Sequence, residues 1–173
     1  DIVLRMPCGA GVGAGPFHSQ TNEAWFTKTP GLKVVYPAFP ADAKGLLCAS
    51  IEDPNPVLFF EHKQLYRSVY QEVPEDYYTI PLGKAALLKQ GENVTIISYG
   101  AGVHWALSSI DKLKVSADLI DLRTLQPLDV TCIYESVKKT GKVIILQEDS
   151  LFGGVASDIS ALIGENCFED LDA

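Results

Sequence analysis

His18 follows a run of alternating glycines, Gly9, Gly11, Gly13 and Gly15, and precedes Ser19-Gln20-Thr21, where Ser19 or Thr21 is able to cap a helix. The pattern predicts a helix over 19–28, with Ala24, Trp25 and Phe26 on its apolar face and Pro30-Gly31 ending it. An imidazole at a helix start feels the positive end of the helix dipole, which favours the neutral ring. A neutral ring can transfer a proton or donate one N–H to a developing charge. The same position also suits a histidine that only caps or packs. His62 ends a strand-like run and His104 falls on a helical stretch, neither with a partner at metal-ligand spacing.

A second candidate is Ser50-Ile51-Glu52-Asp53-Pro54-Asn55, at the end of a helix predicted over 41–51. A helix C-terminus carries unsatisfied carbonyls and partial negative charge, so Glu52 and Asp53 there call for a compensating cation. Carbonyls, one carboxylate and one amide oxygen match a monovalent or hard cation better than zinc. A solvated Asp-Pro-Asn-Pro turn accounts for the same residues. Gly9, Gly11 and Ala14 fit G-x-G-x-x-[GA], a pattern for pyrophosphate at a helix start. Here, however, Gly15-Pro16 prolong the loop, and no acidic residue closes the following strand. Glycines that let backbone approach a ligand or a neighbouring subunit account for the loop better. Last, Glu148-Asp149-Ser150-Leu151-Phe152-Gly153-Gly154 follows a strand at the carboxyl edge of a parallel sheet, where open α/β sheets place ligands or partners.

These candidates need a scaffold, and the composition allows one. The chain has 173 residues, 47% of them hydrophobic, enough for one large or two small domains. With 14 Lys+Arg against 22 Asp+Glu the net charge is −8, and the basic residues are scattered, with only Lys138-Lys139 adjacent, which argues against a nucleic acid partner. No membrane span is expected, since a spanning helix needs ~20 apolar residues. Cys8, Cys48, Cys132 and Cys167 form no CxxC pair; three of the four are expected to be small buried hydrophobes in a reducing compartment. The chain opens on Asp1 inside a strand-like run and stops at Asp170-Leu171-Asp172-Ala173, so a piece of something larger is expected.

Short β-rich apolar runs alternate with amphipathic stretches, the pattern of a parallel α/β sheet with helices on its faces. Strands are predicted over 2–5, 32–36, 57–60, 94–98, 117–122 and 143–146, and further helices over 103–113, 130–139 and 155–163. The run 57–60 is wholly apolar, as in a strand covered on both faces. Between 61 and 81 the period fades. Tyr66, Tyr70, Tyr77 and Tyr78, with Pro74 and Pro81, predict a linker over 66–81 that lies on a surface rather than in water, separating units 1–65 and 82–173.

Several segments carry a family resemblance. Phe17-His18-Ser19-Gln20, Ala24-Trp25-Phe26, Pro30-Gly31-Leu32-Lys33-Val34-Val35-Tyr36-Pro37, Asp42-Ala43-Lys44-Gly45-Leu46-Leu47, Ile51-Glu52-Asp53-Pro54-Asn55-Pro56, Ile80-Pro81-Leu82-Gly83-Lys84-Ala85 and Asp121-Leu122-Arg123-Thr124-Leu125-Gln126-Pro127-Leu128-Asp129 stand in order. Together they resemble the beta subunits of thiamine-diphosphate-dependent 2-oxoacid dehydrogenases, over essentially the whole chain. The resemblance implies the end of a thiamine pyrimidine-binding-type domain over 1–65, followed after the linker by a truncated transketolase C-terminal-type domain over 82–173.

It also implies a function. The family decarboxylates a 2-oxoacid and passes the acyl group to the lipoyl group of an acyltransferase component. His18 aligns with the family's active-site histidine, with an implied role in proton donation or orientation during that transfer. Ser50, through its carbonyl, Asp53 and Asn55 align with a potassium site of the branched-chain members, with further backbone ligands near Ile2 and Val3. The segment Phe59-Phe60-Glu61-His62-Lys63-Gln64-Leu65-Tyr66-Arg67 looks closer to branched-chain than to pyruvate enzymes. The cofactor-activating glutamate is implied to lie upstream, and the diphosphate with its Mg2+ on an alpha subunit or the alpha half of a fused chain. A second beta subunit is a further implied partner. By itself the chain is therefore expected neither to bind the cofactor well nor to turn over. The implied setting is the bacterial cytoplasm or the mitochondrial matrix. Pyruvate or acetoin dehydrogenase beta subunits, or a docking module without catalysis, remain alternatives.

Overall fold

A computed structural model describes residues 2–172. The elements run β1 (Val3–Cys8), α1 (Ala24–Thr27), β2 (Lys33–Val35), α2 (Pro40–Glu52), β3 (Val57–His62), α3 (Leu65–Ser68), β4 (Ala86–Lys89), β5 (Val94–Ser98), α4 (Ala101–Leu113), β6 (Ala117–Asp121), β7 (Thr124–Gln126), α5 (Val130–Thr140), β8 (Val143–Ile145) and α6 (Val155–Asn166), then a 3₁₀ turn (Phe168–Asp170). They build two four-stranded sheets, ordered β1-β3-β2-β7 and β4-β6-β5-β8.

The first sheet is parallel from β1 through β3 to β2, and every residue of β3 is buried, as its apolar run predicts. The fourth strand, β7, is unforeseen: it pairs antiparallel to β2, with Val34 opposite Gln126 and Val35 opposite Thr124. The second sheet likewise has a parallel core, β6-β5-β8, flanked by an antiparallel edge strand, β4, that the periodicity does not reveal. Both sheets are therefore mixed at one edge rather than wholly parallel. One continuous core joins them, with Tyr36, Leu58 and Phe60 from the first packed in a cluster with Ile97, Ile120 and Leu122 from the second. Burying each such side chain contributes roughly 1.5–3 kcal/mol. Cys8 and Cys167 are buried in this cluster and half-buried Cys132 packs against it, so two cysteines rather than the three expected are buried.

Helix ends follow their residues. Pro40 starts α2, Asp129 caps α5 by accepting from the Cys132 N–H, and Gly141 ends α5 in the left-handed region at φ 67°. The segment after α3 is strapped to α2: the Tyr78 hydroxyl donates to the Ala41 carbonyl at 2.7 Å and the Ile80 N–H to the Gly45 carbonyl at 3.0 Å. Gly45 permits this approach, because a Cβ there would meet Tyr78 and Ile80 at 2.7 Å. Of the four tyrosines only Tyr78 gains shelter, while Tyr66, Tyr70 and Tyr77 are exposed, against the expectation that all four lie on a surface.

Between the sheets, Arg123 donates from Nε and one terminal nitrogen to both oxygens of Asp42 at 2.9 and 2.8 Å, while its backbone N–H donates to Asp121 at 3.1 Å. Asp121 is fully buried and one of its oxygens has no partner. Burial, aided by the nearby Asp42 charge, pushes its carboxyl up to about 7. In the unfolded chain that proton leaves near the ordinary ~3.9. Between those values the native state binds a proton that the unfolded state has lost, so stability contributed by the protonated carboxyl falls as pH rises through the window. Asp121→Asn, which keeps the acceptor for Arg123, is expected to raise the melting temperature by a few degrees at ~pH 8 and to change it little at ~pH 4. A thermal-melt series across that range checks this, and parallel curves would contradict it.

Candidate functional site

The glycine-rich loop leaves β1 and returns at Gln20, where the Gly9 N–H closes its neck on the Gln20 carbonyl at 2.9 Å. Gly9 sits at φ 87°, and a Cβ there would lie 2.3 Å from the His62 ring. His18 lies in a turn at the far end, its N–H bonded to the Gly15 carbonyl at 3.4 Å, and it is exposed. The helix predicted over 19–28 shrinks to the single turn α1, with Ala24 buried and Trp25 exposed. Its first residues are diverted, because the Gln20 carbonyl serves the loop neck and the Glu23 side chain turns inward to accept from the Tyr99 hydroxyl at 2.7 Å. The helix-dipole argument for His18 therefore falls away. With no helix following at once, the glycine run also lacks the helix start that a dinucleotide site needs.

What surrounds His18 instead is a shallow cleft of about 220 Å³ lined by Met6, Pro7, Phe17, His18, Gln20, Asn22 and Lys63. The Lys63 ammonium donates to the His18 carbonyl, and among the described residues the imidazole itself has no hydrogen-bond partner. The ring nitrogens are thus open to a hydrogen bond from whatever enters the cleft.

Beneath the loop, the structure brings together residues that are distant in sequence. Glu148, in the loop after β8, accepts from the Ala10 N–H at 3.1 Å with one oxygen and lies 2.8 Å from His62 Nε2 with the other. Asp149 lies 3.5 Å from the Thr21 hydroxyl. Cys8 donates to the Tyr36 hydroxyl at 3.0 Å, and burial pushes the thiol up to about 12, so it stays protonated. Burial also raises Glu23 above the usual carboxylate range, and one of its oxygens has no partner. His62 reads in the sequence as a weak candidate and the 148–154 loop as a ligand or partner edge; their direct contact carries no local signal.

Ser50, Asp53 and Asn55 come together at the end of α2. One Asp53 oxygen accepts from both the backbone N–H and the side-chain amide of Asn55 at 2.9 Å, and the other is bonded by the Lys33 ammonium. Burial pushes the Asp53 carboxyl up, but the Lys33 and Asn55 bonds outweigh it and hold the group below its usual range. The compensating cation that the helix end calls for is therefore in part Lys33. The Ser50 hydroxyl bonds back to the Leu46 carbonyl at 2.7 Å, leaving the backbone carbonyl as its free oxygen. Among the described residues no three His, Cys, Asp or Glu side chains converge on a metal position. A site here would rest on carbonyl and amide oxygens.

Residues 1–69 match the transketolase pyrimidine-binding domain, and residues 83–173 match the transketolase C-terminal domain. The chain belongs to the transketolase family. Within it, the chain is 49% identical over 175 residues to the 2-oxoisovalerate dehydrogenase subunit beta of Bacillus subtilis (strain 168), covering 99% of this chain and 54% of that protein. It is 51% identical over 177 residues to the mitochondrial 2-oxoisovalerate dehydrogenase subunit beta of Dictyostelium discoideum, covering 100% and 48%. The pyruvate dehydrogenase E1 component subunit beta of Bacillus subtilis is 45% identical, covering 99% and 54%. This transketolase-family chain thus spans about half the length of the curated relatives it matches. A split-gene transketolase, solved as an inactive beta4 tetramer, shares the fold with TM-score 0.74 at 24% identity, covering 94% of this chain and 52% of that one. Among the described residues no helix is long and apolar enough to cross a membrane.

Proposed function

We propose that the chain is part of the beta chain of a thiamine-diphosphate-dependent 2-oxoacid dehydrogenase, one that decarboxylates a branched-chain 2-oxoacid and passes the acyl group to the lipoyl group of an acyltransferase component. The observation that carries this reading is near-complete coverage at about half identity to two 2-oxoisovalerate dehydrogenase beta subunits. Its partners are an alpha subunit or alpha half, a second beta subunit and the acyltransferase. Phe17, Leu151 and Phe152, each at least 85% exposed, suit such protein contacts. The setting is the bacterial cytoplasm or the mitochondrial matrix.

His18 is the residue of this chain assigned to chemistry, as a proton donor or orienting group when the acyl group moves to lipoamide. Its exposure, its free ring and the apolar flank of Met6, Pro7 and Phe17 fit that work. The diphosphate and its Mg2+ are assigned to the alpha subunit or alpha half. Substrate class is tested in the complete enzyme by comparing kcat/KM for 2-oxoisovalerate and pyruvate; preference for pyruvate would move the chain to the pyruvate type.

We assign K+ to the Ser50 carbonyl, Asp53 and Asn55 because their oxygens are hard; the ion would share the Asp53 carboxylate with Lys33, which already bonds one of its oxygens. Melting in KCl is therefore expected to exceed melting in NaCl at equal ionic strength by ~1–3 °C, by preferential binding to the folded state. Asp53→Asn should abolish the difference. Equal melting temperatures in both salts for the parent chain would leave these residues as a capped turn.

A further inference from the structure

The loop that presents His18 belongs to the first sheet, yet its neck is held from the second. Three contacts show this. Glu148 accepts the Ala10 N–H at 3.1 Å; the same carboxylate lies 2.8 Å from His62 Nε2; and the His62 ring is the surface on which Gly9 rests, with no room for a Cβ. The neighbouring residue continues the chain of support, since the Lys63 N–H donates to the Cys8 carbonyl at 3.0 Å and its ammonium holds the His18 carbonyl. His62 is buried and the Glu148 side chain is 19% exposed, so water competes little for these bonds. Beyond the neck, each residue of 11–18 is exposed. A loop with four left-handed glycines has, besides the Lys63 bond to the His18 carbonyl and the Gln64 side chain beside Gly11, little else to fix the position of the ring it carries.

From this we infer that Glu148 is a positioning residue for His18: its carboxylate clasps the loop neck, and so makes the placement of the first unit's histidine depend on the second unit's β8–α6 loop. The role rests on the functional reading given above. Glu148 touches no reacting atom; it acts through Ala10, His62 and the loop between them. The Ala10 bond needs an acceptor and not a charge. What the site needs is an acceptor for the Ala10 N–H with the reach of a glutamate.

The test uses the full-length enzyme assembled with its partner subunits. Glu148→Ala is expected to lower the turnover of acyl transfer to a lipoyl domain by ~10- to 100-fold, the scale of a small misplacement of a reacting group, with the 2-oxoacid KM moved by less than ~2-fold. Glu148→Gln, which keeps the reach and the acceptor, should recover most of that loss, whereas Glu148→Asp should not. In an H18A background, E148A should cost less than ~2-fold more, because a residue acting through His18 has nothing left to position. Hydrogen exchange at the Ala10 amide and through 11–18 should quicken in E148A. Full additivity of H18A and E148A, or unchanged exchange at Ala10, would overturn the inference. Full acyl transfer by H18A alone would instead sink the functional reading, and exchange at Ala10 would still decide whether Glu148 holds the loop.

Discussion

Replacing His18 with alanine in the complete enzyme is expected to cut acyl transfer to the lipoyl group by ~10² to 10⁴, while decarboxylation followed with an artificial electron acceptor stays measurable. The split follows from where the ring sits. Its cleft is shallow and its imidazole has no partner among the described residues, which suits a group that meets an incoming arm rather than one buried against a bound substrate. A proton delivered at that step is saved when a small artificial oxidant replaces the lipoyl arm. The loop should keep its place in the variant, since Glu148 holds its neck at Ala10 and Lys63 grips the His18 carbonyl and not the ring. Equal losses in both assays would remove this role from His18.

The second large effect is expected at Arg123. Its guanidinium binds both oxygens of Asp42, with the two side chains 21% and 10% exposed, and it holds the start of α2 to the turn between β6 and β7. Asp121 lies close enough that the Asp42 charge adds to the rise in its pKa. Arg123→Ala therefore strands one nearly buried carboxylate beside another, a change that typically costs about 3–5 kcal/mol. Asp42→Ala should cost less, because it relieves Asp121 while freeing a cation that can reach water. Urea unfolding of the chain and of both variants measures this, and an Arg123→Ala midpoint within error of the parent would contradict the account.

The contrast between these two sites shows what could be read from residues alone. The apolar run of β3 is a local signal that marks its strand, whereas Pro40 and the Asp129 cap, equally local, stand just outside the helices expected over 41–51 and 130–139. β7 is different: Thr124-Leu125-Gln126 becomes a strand only because β2, some ninety positions earlier, offers it an edge. β4 is a short, half-buried run whose identity likewise comes from β6. The helix expected over 19–28 fails because Ala24, Trp25 and Phe26 are consecutive rather than spaced by three or four, so they define no single helix face. The turn residues Asp53 and Asn55 were legible as an oxygen cluster, but their Lys33 partner was not. His18 stands out by its place after the glycines, and its proposed role rests on the family resemblance. The contact of Glu148 with His62, between loops of different sheets, had no trace in spacing.

The most direct test of the central proposal joins the full-length protein to its alpha partner with thiamine diphosphate, Mg2+ and K+, then adds 2-oxoisovalerate and a free lipoyl domain and weighs that domain by intact mass spectrometry. The account predicts cofactor-dependent acylation of the lipoyl domain, strongly reduced by His18→Ala. A lipoyl domain left unmodified by an enzyme that still consumes the 2-oxoacid would contradict it.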